Sequence, residues 1–95
     1  MRLVYSKRAI ADLDQIAAYY TAHATPTIAE SIGRQLSGVI ARIERHPEGA
    51  PRVTQRSQVR VATVVRYPFR IFYRASNETI DILHIRHTSR RPAEV

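Results

Sequence analysis

The fold is decided by a stretch in which apolar residues recur at every second position, Val59-Arg-Val-Ala-Thr-Val-Val-Arg-Tyr-Pro-Phe-Arg-Ile-Phe-Tyr-Arg74. A period of two is typical of β-strands, because successive side chains of a strand point to opposite faces of the sheet. Tyr67-Pro68 interrupts the alternation and predicts a turn between two antiparallel strands. In the first of these strands we expect the apolar face to consist of Val59, Val61, Thr63 and Val65.

A third strand follows and ends in a cluster of cations. Ser76-Asn77-Glu78 provides the turn, and the strand from Ile80 to Arg86 leads into His87-Thr-Ser-Arg90-Arg91-Pro92. The three strands therefore form an antiparallel meander. Histidines and arginines at the end of a strand suit an anionic partner, and RNA, DNA and an acidic protein segment all meet that requirement.

Upstream of the meander, the apolar residues recur at the spacing of α-helices. Ser6 is a cap for a first helix, Thr25-Pro26 is a start signal for a second, and His46-Pro47 ends that second helix. The apolar residues of the two helices are Ile10, Leu13, Ile16, Ala17 and Tyr20, and then Ile28, Ile32, Leu36, Val39, Ile40 and Ile43. Gly33 and Gly38 lower the helix propensity of the second helix, so we expect close packing against the first helix there.

With a short opening strand at Leu3 and Tyr5, the order of elements is β-α-α-β-β-β. This order predicts an α+β fold, in which a helical hairpin packs on one face of a small, largely antiparallel sheet. At 95 residues and 44% apolar content, the chain is expected to form one domain over residues 1–95.

Composition and motifs narrow the function classes. The sequence has no Cys, no P-loop, no dinucleotide-binding fingerprint and no nucleophile-elbow motif, so we expect no cofactor. No apolar run approaches the roughly 18 residues of a membrane span. The N-terminal residues lead into a charged segment and not into the apolar stretch of a signal peptide. These features predict a cytoplasmic protein that does not engage a membrane.

The net charge of +7 is concentrated in the C-terminal half. Up to Pro51 there are six Lys or Arg against five Asp or Glu, whereas from Arg52 there are nine Arg against three acidic residues. Arginine presents a planar fork of donors that suits phosphate or carboxylate. The clustering predicts a binding surface for an acidic partner, whose candidate residues are Arg60, Arg66, Arg70, Arg74, Arg86, His87 and Arg90.

Two further patterns have simpler interpretations. His84 and His87 have the spacing of a helical metal site, but positions three apart in a strand point to opposite faces, so we expect no metal site. Asp12 and Asp14 lie two apart on the first helix and face different directions. We expect both to be solvated carboxylates favoured by the helix dipole.

Five motifs follow one another along the chain: Tyr5-Ser6-x-x-Ala9-x-x-Asp12-Leu13-x-x-Ile16-x-x-Tyr19-Tyr20, His46-Pro47-x-Gly49, Val59-Arg60, Tyr67-Pro68-x-Arg70-Ile71-x-Tyr73 and His84-Ile85-x-His87-x-x-Arg90-x-Pro92. In this order and spacing they resemble the RelE/ParE toxin superfamily, and the resemblance covers essentially the whole chain. It implies a bacterial type II toxin-antitoxin toxin. Such a toxin is neutralised by a ParD-like antitoxin, a ribbon-helix-helix DNA-binding protein that lays an acidic and hydrophobic segment across the toxin.

Within that superfamily, two functions compete. ParE-like members poison DNA gyrase without being catalysts, and the two long opening helices and the terminal His87-x-x-Arg90-x-Pro92 look more like this branch. RelE-like members are ribosome-dependent mRNA endoribonucleases. Here that activity would rest on His87, Arg60 and Arg90, whereas the branch usually carries lysines before the meander and the sole lysine of this chain is Lys7. A third alternative is an inactive homologue that only binds antitoxin. Direct binding of nucleic acid stays open.

Overall fold

The computed structural model describes residues 1–88, with only the backbone described at Ser57. In chain order the elements are β1 (Arg2–Tyr5), α1 (Lys7–His23), α2 (Pro26–Arg45), β2 (Arg52–Val53), β3 (Arg56–Val64), β4 (Phe69–Ala75) and β5 (Thr79–His87). They form a five-stranded sheet of order β1-β5-β4-β3-β2, in which β1 is parallel to β5 and the other neighbours are antiparallel. The predicted fold class is confirmed, and β2 is a short strand that the sequence did not predict.

Helix α1 begins after the predicted cap residue, Ser6, and is hydrogen-bonded to strand β5. The Ser6 hydroxyl accepts a hydrogen bond from the Ala9 amide at 2.9 Å and donates one to the Leu83 carbonyl at 2.6 Å. One turn further along, Asp12 Oδ2 accepts a hydrogen bond from the Ile85 amide at 2.9 Å. The expectation that Asp12 is a solvated carboxylate is therefore wrong, because it satisfies a backbone donor of β5 beyond the end of β1.

Helix α2 supplies most of the helical contribution to the core. Thr25 caps it by accepting the Ile28 amide, and Pro26 occupies its first position. Its buried residues are Ile32, Leu36, Val39, Ile40 and Ile43. The predicted stripe of α2 is wrong at Ile28, which is 41% exposed. The predicted stripe of α1 is wrong at Ile10, which is 50% exposed, and at Ala17, which is also exposed.

The expectation of close packing at the α2 glycines is also wrong. A Cβ atom placed at Gly33 or at Gly38 would meet no neighbouring atom within 4 Å. Neither glycine is therefore required by the approach of α1.

The helices cover one face of the sheet, and the core lies between them. Sheet residues on the helix-covered face include Ala62, Val64, Phe69, Ile71, Tyr73, Ile80, Ile82 and Ile85. The expected apolar face of the first meander strand is wrong at Thr63, which is exposed, and at Val65, which is 89% exposed, whereas Val59 is buried as expected. The β3 residues that belong to the core under the helices are instead Ala62 and Val64. Within residues 1–88, neither helix combines the length and the apolar character that crossing a membrane requires.

Candidate functional site

The face of the sheet that carries no helix is the candidate binding surface. Strand register decides its composition, since residues directly opposite each other on neighbouring strands share a face. The pairings Val61↔Phe72↔His84, Thr63↔Arg70↔Arg86 and Arg74↔Asp81↔Val4 define three rows across the strands. We call these residues the open face: Val4, Val61, Thr63, Arg70, Phe72, Arg74, Asp81, His84 and Arg86.

An aromatic pair occupies the middle row of the open face. The rings of Phe72 and His84 are stacked with centroids 4.3 Å apart and an interplanar angle of 7°. Val61, opposite Phe72 on β3, extends this row with an apolar side chain that is half-buried. The centre of the surface is therefore largely apolar and aromatic, which suits contact with an apolar side chain or a planar group.

The His84 ring favours its neutral form. Burial lowers the pKa of His84, the cations of Arg8, Arg86 and Arg56 lower it further, and Asp12 opposes them. A neutral imidazole adds no charge to the surface, so it contributes to the aromatic centre and not to the cationic rim.

Arginines flank the aromatic centre on both sides. Arg70 and Arg86 lie directly opposite each other on β4 and β5 and are both exposed. On the other flank, Arg74 Nη2 lies 3.5 Å from Asp81 Oδ2, and this is the one ion pair among residues 1–88. An exposed pair at that distance contributes little stability. The Arg70 and Arg86 flank therefore carries the larger uncompensated positive charge.

The remaining predicted site residues lie elsewhere. Arg66 is exposed in the turn between β3 and β4, beside Tyr67, whose hydroxyl donates to Ser31 Oγ at 3.0 Å. Arg90 lies outside the described residues. His87 lies on the helix-covered face, opposite Phe69 in the register and in edge-to-face contact with the Phe69 ring at 5.2 Å between centroids.

Arg60 lies apart from the other arginines of the predicted binding surface on β4 and β5. It pairs with Tyr73 on the helix-covered face, and its Nη1 donates hydrogen bonds to the carbonyls of Ala50 at 2.7 Å and Glu48 at 3.2 Å. Arg60 therefore does not share a face with Arg70, Arg74 and Arg86, as a single binding surface made of all four would require. The reason is that Arg60 lies on the same face of β3 as Ala62 and Val64, which pack into the core under the helices.

The structure does not bring Arg60 and His87 together. Their partners on β4, Tyr73 and Phe69, are four residues apart in the strand. At roughly 3.3 Å per residue, this separates the two positions by about 13 Å along the sheet. His84 and His87 lie on opposite faces, and residues 1–88 contain no group of three or more His, Asp or Glu side chains arranged to hold a metal ion.

Sequence reasoning missed the contribution of Phe72 and His84. Phe72 was visible as a member of the alternating stretch, but its partner depends on the register of β4 against β5. That register shifts at a bulge between Phe72 and Tyr73, so counting residues through the hairpin does not identify His84 as the stacking partner.

Comparison with known proteins shows the family. Residues 3–92 match the model of the ParE toxin of type II toxin-antitoxin system, parDE. A solved structure of the chromosomal ParDE toxin-antitoxin system from P. aeruginosa is 28% identical, with a TM-score of 0.81 over 94% of this chain and 97% of that chain. The isolated E. coli RelE toxin is 13% identical, with a TM-score of 0.58 over 98% of this chain and 89% of that one, and at this identity the likeness concerns the fold alone. No curated protein matches the sequence.

Proposed function

Since the chain belongs to the ParE toxin family of type II toxin-antitoxin systems, we propose that it poisons DNA gyrase in the bacterial cytoplasm and is neutralised by direct binding of a cognate antitoxin. The observation that carries this proposal is the extent of the likeness. The family match covers residues 3–92, and the ParDE structure from P. aeruginosa is similar along 94% of the chain.

We propose the open face as the surface that binds the antitoxin. Its stacked Phe72 and His84 rings offer an apolar centre, and Arg70 and Arg86 offer cations beside it. An antitoxin segment with an apolar anchor and flanking carboxylates complements that arrangement. A ParD-like, ribbon-helix-helix antitoxin that continues into such a segment is the expected partner.

A non-enzymatic action fits the chemistry of the described residues. Arginine stays protonated in proteins and is a poor proton donor or acceptor. His84 is stacked on Phe72, and His87 lies about 13 Å along the sheet from Arg60. A ribonuclease needs proton transfer beside a stabilised phosphate, and Arg60 and His87 are too far apart to share one phosphate. The RelE-like ribonuclease remains the alternative that the following assay addresses.

The gyrase proposal is tested with purified proteins. The chain, added to gyrase and relaxed plasmid without ribosomes, should inhibit supercoiling or trap cleaved DNA, and added antitoxin should reverse the effect. A parallel reaction with translating ribosomes should leave the mRNA intact. Inert behaviour toward gyrase, together with mRNA cuts that disappear in His87→Ala, would instead establish the ribonuclease. Inactivity in both reactions with retained antitoxin binding would identify an inactive homologue.

The antitoxin surface is tested by charge reversal on the two sides of the molecule. Arg70→Glu should weaken antitoxin binding and lower the salt dependence of what remains, because one attractive charge is replaced by a repulsive one. Arg34→Glu makes the same change at an exposed position of α2, away from the open face. Equal effects of the two substitutions on the dissociation constant would assign the antitoxin to another surface.

A further inference from the structure

A second basic site lies on the opposite side of the sheet from the open face. It is a cleft of about 900 Å³ near the C-terminal end of α2, lined among others by Arg45, His46, Arg52, Arg60, Ser76 and Asn77. We call it the basic cleft. We propose that it binds a phosphate-bearing small molecule of about the size of a nucleotide.

The arrangement of Arg52 and Arg60 is the first observation behind this proposal. The two residues are direct cross-strand partners on β2 and β3, and both line the basic cleft. Like charges directly opposite each other destabilise a sheet. Neither arginine forms an ion pair within residues 1–88, where the one salt bridge joins Arg74 to Asp81. An anion bound between the two guanidinium groups would relieve their repulsion.

Hydrogen bonds within the chain hold Arg60 in place at the wall of the basic cleft before any ligand binds. Arg60 Nη1 holds the loop after α2 through the carbonyls of Glu48 and Ala50, and the buried Tyr73 hydroxyl donates to the Pro47 carbonyl at 2.6 Å. A guanidinium has five N–H donors, so those of Arg60 Nη2 and Nε remain for a ligand. A fixed guanidinium loses less freedom on binding than a solvated one, which favours affinity.

The chemistry of the lining selects a phosphate ester over a simple carboxylate. The lining contains three arginines, Arg45, Arg52 and Arg60, and one carboxylate, that of Glu48. A doubly charged phosphate compensates more of that excess than a single carboxylate, and the planar forks of arginine match its oxygens. The neutral side chains of Ser76 and Asn77 can hydrogen-bond a sugar or a base, and the volume lies in the range of small-molecule pockets.

Binding of ADP to the free full-length chain tests the proposal, with calorimetry and amide chemical shifts as readouts. ADP should bind saturably, inorganic phosphate should compete with it, and adenosine should not bind. Arg52→Gln should weaken ADP binding by about tenfold, the loss expected for a charge-assisted contact. Arg52 is exposed on the short edge strand β2, so this change spares the core, and thermal unfolding of the variant verifies that it is folded.

Two matched variants control for the general positive charge of the chain. Arg34→Gln on α2 and Arg70→Gln on the open face remove the same charge outside the basic cleft. Both should leave the ADP dissociation constant within about twofold of the original value. Absence of saturable ADP binding, or equal losses in all three variants, would overturn the proposal. Arg52-dependent binding of an acidic peptide without binding of ADP would also overturn it and assign a protein ligand.

The two proposals fail independently. The basic cleft and the open face lie on opposite faces of the sheet, so a gyrase or antitoxin result does not decide the ADP result. Arg52→Gln should leave antitoxin affinity unchanged, because Arg52 lies outside the open face, while Arg70→Glu should leave ADP binding measurable.

Discussion

Replacing Asp12 with alanine should destabilise the chain through a single hydrogen bond. Asp12 Oδ2 accepts the Ile85 amide at 2.9 Å and joins residues 73 positions apart. Strand β1, which pairs with β5 at this edge of β5, ends at Tyr5. The Ser6 amide that follows it donates to the Ile82 carbonyl, three residues before Ile85. The Ile85 amide lies beyond that point, so the carboxylate replaces a missing strand partner.

The magnitude follows from two opposing contributions. Loss of a hydrogen bond to a charged acceptor, with the amide left in a partly buried position, costs about 2 kcal/mol. Alanine has a higher helix propensity than aspartate, and this part of the change stabilises the folded chain by about 0.5 kcal/mol. The free energy of unfolding should therefore fall by about 1.5 kcal/mol, which in a domain of this size lowers Tm by about 6 to 12 °C.

Asp14→Ala is the matched control, since Asp14 is exposed on the same helix and loses the same charge. Asp14→Ala should raise the free energy of unfolding by the helix-propensity contribution alone. The free energies of unfolding of the two variants should therefore differ by about 2 kcal/mol. Urea unfolding followed by circular dichroism gives both values, and amide exchange at Ile85 should accelerate in Asp12→Ala only. Unfolding free energies within about 0.5 kcal/mol of each other would refute the role assigned to Asp12.

Three further predictions concern other parts of the fold. Tyr73→Phe removes the hydroxyl that donates to the Pro47 carbonyl, and it should lower the free energy of unfolding measured in urea by about 1 to 2 kcal/mol. A change below about 0.3 kcal/mol would mean that water replaces this hydrogen bond. The folded-state pKa of His84 lies below its unfolded value of about 6.5, so the unfolded chain binds more protons and stability falls as the pH drops through about 6.5. His84→Phe keeps an aromatic ring against Phe72 and should reduce the pH dependence of the unfolding free energy measured between pH 7.5 and 5.5. Gly38→Ala places a methyl group in open space and should raise Tm through about 0.5 to 1 kcal/mol of helix propensity, an expectation that a lower Tm would contradict.

Local signals of the sequence were sufficient for the elements and their order. Ser6 and Thr25-Pro26 cap the two helices as predicted, because capping depends on residues three positions away. The alternating stretch forms β3 and β4, and the motif resemblance gave the same family as the match over residues 3–92. Exposed arginines on β4 and β5, such as Arg70 and Arg86, were also predictable from alternation.

The sequence alone determined the α+β architecture and the family, while the tertiary structure decided which side chains share a surface. Strand β3 has apolar residues on both faces, so its period of two could not show that Ala62 and Val64 are buried and that Arg60 binds the loop after α2. The contacts of Asp12 with Ile85 and of Phe72 with His84 likewise depend on register between distant segments. A period reports the alternation of faces along one strand, and only packing against the helices determines which of those faces is buried.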